Sequence, residues 1–196
     1  MLHFLLGTAG SGKTNRIRHC IAERVKNGES GIVLLTPEQY TFESERALLQ
    51  LLGATAADRA EVLSFTKMVE YIGTDAECFS KPHADTGTRA VAVKRAIAGV
   101  HDELRVLCNV KLTPEFILSM LDIITELKQC NVTGDMLYSS SLSADNKAFA
   151  DKMHDISLIM SAYESILGER YIDPDDDLML LCSVLDSSNY FCGKTV

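Results

Sequence analysis

Eight residues near the start of the chain have the types and the order needed to hold a phosphate. Gly7-Thr8-Ala9-Gly10-Ser11-Gly12-Lys13-Thr14 matches the pattern G-x-x-x-x-G-K-[ST] without a gap. Glycines at 7, 10 and 12 permit turns closed to other residues and let backbone N–H groups approach anionic oxygens closely. Lys13 supplies a compact cation for the β- and γ-phosphates of a nucleotide, and Thr14 supplies a hydroxyl for Mg²⁺. A helix starting here points the positive end of its dipole at the anion. The expectation is an ATP–Mg²⁺ site over residues 7–14, with Thr14 as the one Mg²⁺ ligand. A ligand-free Gly-rich turn is the plain alternative.

Other candidate chemistry is weaker. Asp173-Pro174-Asp175-Asp176-Asp177 tempts a metal reading. A carboxylate that serves a nucleotide-bound metal should end an apolar strand, however, and this cluster opens a helix, so capping and dipole compensation account for it better. No apolar strand ending in Asp-Glu occurs in the chain, which leaves a phosphate cradle with no water-activating base and no catalytic residue of its own. Cys20, Cys78, Cys108, Cys130, Cys182 and Cys192 are scattered without a C-x-x-C pair, as expected of reduced, mostly buried thiols.

The elements that must position the loop can be read from apolar periodicity. Leu2–Leu6 is a short apolar run consistent with a buried strand entering the loop. Asn15–Lys26 reads as a helix with Ile17, Cys20, Ile21 and Val25 inward, ended by Asn27-Gly28. Residues 31–36 form a second strand stopped by Pro37, and 38–52 a helix closed by Gly53. A third strand over 61–65 precedes a short helix to Gly73. Alternating strands and helices predict an α/β, doubly wound parallel sheet with its ligands at the strand C-terminal ends.

After Gly73 the texture changes. Residues 74–87 are polar and turn-rich, and the chain beyond them is almost wholly helical. Val93, Ile97, Val100, Leu104 and Leu107 keep one apolar stripe; Phe149, Met153, Ile156, Met160, Tyr163 and Leu167 keep another. Thr113-Pro114-Glu115 is a capped helix start, and Ser139–Ser143 reads as a loop. Residues 190–196 begin another strand. The expected organisation is a first part of the α/β core at 1–74, an inserted helical lobe at 75–170, and a return to the core at 171–196.

At 196 residues, 46% hydrophobic and 23% charged, the chain suits one large domain or a core with an inserted lobe. Its net charge of −8 argues against a general nucleic-acid wrapper, while leaving room for a local groove or for DNA held jointly with a more basic partner. No stretch approaches the roughly 18–20 apolar residues needed to cross a bilayer, and no signal-peptide order is present. The expectation is a cytoplasmic protein without membrane contacts.

Several stretches together resemble the amino-terminal part of the B subunit of the bacterial ATP-dependent helicase/deoxyribonuclease. They are the loop with its approach from Phe4, Leu35–Phe42 with Glu45, Ala60–Lys67, His154–Ile159 with Tyr163 and Glu164, and Tyr171–Leu178. The resemblance spans nearly all of this chain and only the front of the family protein. It implies a RecA-like P-loop core of the superfamily-1 helicase type (domain 1A) with an inserted all-helical lobe (1B-like), truncated before the motif-II strand. It further implies a heterodimer with an A-type helicase/nuclease subunit, acting in double-strand break repair by homologous recombination. Motor activity in this subunit is implied to be degenerate, and a nuclease domain and an iron–sulfur cluster to lie in the absent C-terminal part.

Carried over by position, Gly10, Gly12, Lys13 and Thr14 bind nucleotide phosphate and Mg²⁺. Gln39, Thr41, Phe65 and Lys67 face single-stranded DNA. All four follow strand C-termini, where Phe65 can stack on a base and Lys67 can meet a phosphate. Taken alone, Gln39 and Thr41 equally suit a helix's first turns, Phe65 a core, and Lys67 a solvated surface. The family pattern has Arg where Thr8 and Lys67 stand and an aromatic where Glu70 stands. An acid beside DNA repels it, so either hotspot reading is absent at this end or a different sequence is read. The opposing class is a small P-loop phosphotransferase with a helical lid, although Arg89, Lys94, Arg95, Arg105 and Lys111 form no lid motif. A DNA-free ATP-binding regulatory module is the third reading.

Overall fold

A computed structural model of the chain describes residues 2–73 and 80–196. Cys78 and the start of the polar stretch, 74–79, lie outside the described residues. The chain divides into two compact units, Met1–Ala76 with Leu181–Val196, and Glu77–Leu180.

The first unit contains α1 (Lys13–Lys26), β1 (Ile32–Leu35), α2 (Thr41–Leu52), β2 (Ala60–Leu63) and α3 (Phe65–Gly73). The strands are parallel, with Ile32 opposite Ala60 and Leu35 opposite Leu63. On the other edge of β1, Thr195 makes a parallel bridge to Ile32: Val33 N–H donates to Thr195 O at 2.7 Å and Thr195 N–H to Gly31 O at 2.9 Å. The final segment therefore makes one bridge to β1, on the edge away from β2. Ile21, Val25, Ile32, Leu48 and Val62 close the core where α1 and α2 pack on this sheet. Ile17, expected inward on α1, is 40% exposed.

Leu2–Leu6 forms no strand. The run pairs with neither β1 nor β2, and Leu2, Phe4 and Leu6 are 78–88% exposed. Apolar composition alone does not make a strand; the run must also pair with another segment.

The second unit is helical: α4 (Thr86–Gly99), α5 (Pro114–Gln129), α6 (Gly134–Ser143) and α7 (Lys147–Gly168), with α8 (Asp177–Leu185) leading out of it. Its entry and exit meet side by side, since Ala84 N–H donates to Ile172 O and Ile172 N–H to Pro82 O, each at 2.9 Å. Val93, Ala96, Ile97, Ile124, Ile159 and Tyr163 are fully buried in one core.

Two expectations fail here for local reasons. The stripe from Val93 does not continue helically to Leu107. After Gly99, the buried Asp155 carboxylate accepts the N–H groups of Arg105, Val106 and Leu107 at 2.8–2.9 Å, and the segment makes only short 3₁₀ turns, His101–Glu103 and Leu107–Asn109, in place of an α-helix. The serine run is helix rather than loop. Thr133 caps α6 by accepting Met136 N–H, while Ser140, Ser141 and Ser143 return their hydroxyls to carbonyls three or four residues back.

Candidate functional site

Lys13 opens α1, and the loop before it bends through two left-handed glycines, Gly10 at φ +75° and Gly12 at φ +82°. A Cβ at either would meet nothing within 4 Å, so the turn needs glycine for its backbone angles rather than for space. Gly7 differs. A Cβ there would lie 2.6 Å from Ser11 Oγ. Ser11 N–H closes the turn onto Thr8 O at 3.3 Å, and Arg16 N–H returns to Gly12 O at 2.9 Å.

The helix start carries no side-chain cap at Gly12 and no acid in its first turn. Its exposed amides and dipole are therefore offered to an external anion. Lys13 Nζ donates to Gly7 O at 2.8 Å and to Thr8 O at 2.7 Å, which folds its charge back over the loop. Thr14 is exposed in the first turn of α1, and Ala9 is exposed in the loop. These residues fit a nucleotide triphosphate: a glycine-shaped turn, an uncapped helix start, one ammonium group and one exposed hydroxyl. Among the described residues no group of three or more His, Cys, Asp and Glu could hold a metal ion; at this loop Thr14 is the residue that would meet a Mg²⁺ ion carried by the phosphates.

The C-terminal ends of β1 and β2 carry the second set of residues. Thr36 N–H donates to Leu63 O at 2.9 Å, so the two strands end level. Beyond β1, Gln39 is exposed in a single 3₁₀ turn, Glu38–Tyr40. Thr41 is buried, and its hydroxyl points back to Pro37 O at 3.5 Å, so it shapes the helix entry instead of facing solvent. Beyond β2, Ser64 is fully buried and accepts Lys67 N–H at 3.2 Å, capping α3. Phe65 is 52% exposed in that first turn. Lys67 is held by Glu45, Nζ to Oε1 2.5 Å, and this hydrogen bond keeps its ammonium above the usual lysine range.

Tyr40 and Phe42, absent from the candidates drawn from sequence, are 52% and 77% exposed at the same sheet edge as Phe65. Their signal was available, because they alternate with Gln39 and Thr41 immediately after a strand end. Thr36 Oγ1, at the end of β1, and Arg18 Nε, on α1, are buried and lack a hydrogen-bond partner among the described residues.

The Asp173–Asp177 cluster is occupied by the protein itself. Asp173 accepts from Lys128 Nζ at 2.9 Å and from the Tyr163 hydroxyl at 2.7 Å, with Arg89 Nε 3.3 Å away. Asp175 pairs with Arg89 and accepts from Thr125 at 2.9 Å, and Asp176 lies 2.7 Å from Lys128 Nζ. Asp173 also caps the turn through Asp175 N–H, as the sequence predicts; its buried cationic partners come from elements far away in the chain.

Residues 4–196 match the family described as ADDB, N-terminal. The chain belongs to that family. It is 36% identical, over all of its length, to the B subunit of an ATP-dependent helicase/deoxyribonuclease from Clostridioides difficile (strain 630). A protein of the same name from Thermoanaerobacter sp. (strain X514) is 31% identical over 98% of the chain, and one from Clostridium acetobutylicum is 28% identical over all of it. In each case the chain spans 17% of the relative's length. No helix among the described residues is long and apolar enough to cross a membrane.

Proposed function

We propose that this chain is the nucleotide-binding front of the B subunit of a bacterial ATP-dependent helicase/deoxyribonuclease. In that role it belongs to a RecA-like P-loop core with an inserted helical lobe, works beside an A-type subunit, and serves double-strand break repair. Residues 7–14 hold the phosphates of ATP, and Thr14 contributes to Mg²⁺. The sheet edge bearing Gln39, Tyr40, Phe42 and Phe65 holds single-stranded DNA, with Lys67 exchanging Glu45 for a phosphate. The names of the relatives support the subunit assignment.

The observation that carries the nucleotide reading is the uncapped start of α1, reached through Gly10 and Gly12 and followed at once by Lys13. Loop amides, dipole and ammonium act on one anion together once Lys13 exchanges the carbonyls of Gly7 and Thr8 for phosphate oxygens. On this reading the motor is degenerate, and the chain holds ATP far better than it turns it over.

Titration with a fluorescent ATP analogue in the presence of Mg²⁺ tests this. The chain binds it, and Lys13→Ala weakens binding by roughly 10- to 100-fold, the worth of one charge-assisted contact. Absence of binding by the unaltered chain overturns the nucleotide reading. Brisk ATP hydrolysis overturns the degenerate-motor reading.

A further inference from the structure

The helical unit contains a groove of about 420 Å³ between α4 and the end of α7. That is within the range of small-ligand sites, roughly 300–1,000 Å³. Thr88, Val91 and Arg95 lie on one face of α4 at steps of three and four. Ile166, Arg170 and Tyr171 form the opposing wall. Val91 is 59% exposed, and Tyr171 is half-buried.

Two arginines, Arg95 and Arg170, line this groove against one carboxylate, Glu169. Acids outnumber Lys and Arg by 27 to 19, and Arg18, Arg24, Arg89 and Arg105 have each found a carboxylate. Arg95 and Arg170 have none among the described residues, as is also true of Arg16, Arg46 and Arg59, but these two stand on opposite walls of one groove. Lys81, outside the lining, is a further cation near the end of α7, where it donates to Gly168 O at 2.5 Å. Two acids oppose them. Glu169 is on the same rim, and Asp85 already satisfies the start of α4 by accepting Thr88 N–H at 2.7 Å. An anion in the groove is therefore directed to the guanidinium groups and away from the helix terminus.

We propose that this groove is a second nucleic-acid contact, taking the phosphates of a single strand between Arg95 and Arg170. Guanidinium forks match phosphate oxygens in a bidentate manner. Val91, Ile166 and the Tyr171 ring give bases an apolar surface to lie on. An acidic peptide would use the charges but not the ring. The inference rests on the single-stranded DNA reading above for the identity of the strand, and it adds a site on a different unit.

Anisotropy of a labelled oligo-dT across a salt series tests it. Arg95→Gln/Arg170→Gln weakens binding by about 10-fold and lowers the log–log salt slope by about 1.4, two contacts at roughly 0.7 each. Arg95→Lys/Arg170→Lys keeps the slope. Phe42→Ala/Phe65→Ala weakens binding and leaves the slope unchanged. Binding lost in the phenylalanine pair yet unmoved in the glutamine pair overturns this inference alone. No oligo-dT binding by the unaltered chain overturns both readings. Equal displacement by an oligo-glutamate peptide of matched charge overturns the nucleic-acid assignment of the groove.

Discussion

Lys13 in its present position bonds to the loop's own carbonyls, so its charge is parked within reach of any phosphate entering the turn. The glycines around it do different jobs, and substitution separates them. Gly12→Ala forces a non-glycine residue to φ +82°, a backbone strain of about 1–2 kcal/mol with no clash to relieve. The expected result is roughly 5- to 30-fold weaker binding of the ATP analogue. Gly7→Ala instead pushes on Ser11 Oγ, a movable side-chain atom. It is the milder change, and pairing it with Ser11→Ala restores affinity. A loop in which both substitutions behave alike, with no rescue, contradicts this assignment of roles.

At the scale of elements, the parts fixed by local chemistry could be read from the sequence, and the parts fixed by distant partners could not. Thr113 caps α5 by accepting Phe116 N–H with Pro114 at the first helical position, as its sequence announces. The C-terminal stop of α2 at Gly53 (φ +73°) is equally local. By contrast, the segment after Gly99 departs from its own apolar stripe because of a carboxylate some fifty residues away, and no windowed pattern contains that fact. Leu2–Leu6 has the composition of a strand, but pairing is a property of two segments. The serines of α6 lowered its apparent propensity, yet their hydroxyls have carbonyl partners inside the helix. At the site, the turn into α1 was legible because the left-handed angles at Gly10 and Gly12 are requirements that glycine spells out locally. The exposure of Tyr40 and Phe42 and the inward turn of Thr41 depended on packing.

The anchors of α6 and of the segment before α5 can be tested singly. Removing the cap of α6 with Thr133→Ala costs about 1 kcal/mol, read from chemical denaturation followed by circular dichroism. Asp155→Ala strands three backbone N–H groups beside a buried hole and costs about 3 kcal/mol, and the freed segment exchanges its amide hydrogens faster at Arg105, Val106 and Leu107. Unchanged exchange at those amides contradicts the anchoring role.

For the whole molecule, the buried acids determine the response to pH. Burial alone raises a carboxyl, but at Asp173 the hydrogen bonds from Lys128 and Tyr163 and the nearby Arg89 outweigh it and hold the group below its ordinary 3.8. At Asp155 burial is likewise overcome, by the backbone donors of Arg105, Leu107 and Val106. A carboxyl depressed in the folded state contributes stability above its unfolded pKa and loses it as pH falls through the folded value. Asp176 and Glu164 act in the opposite sense. Burial raises both, so the folded chain takes up their protons first and gains slightly as pH falls through that range. Melting temperature is therefore expected to be flat or to rise a little from about pH 7 to 5, then to drop below about pH 4. Asp173→Asn tests the assignment. It leaves Lys128 and Arg89 buried without their shared acid, at a cost of roughly 3 kcal/mol near neutrality. The variant's acid limb is shallower, and the two melting curves converge at the pH where the native group is also protonated. Parallel curves down to that pH would place the acid sensitivity elsewhere in the chain.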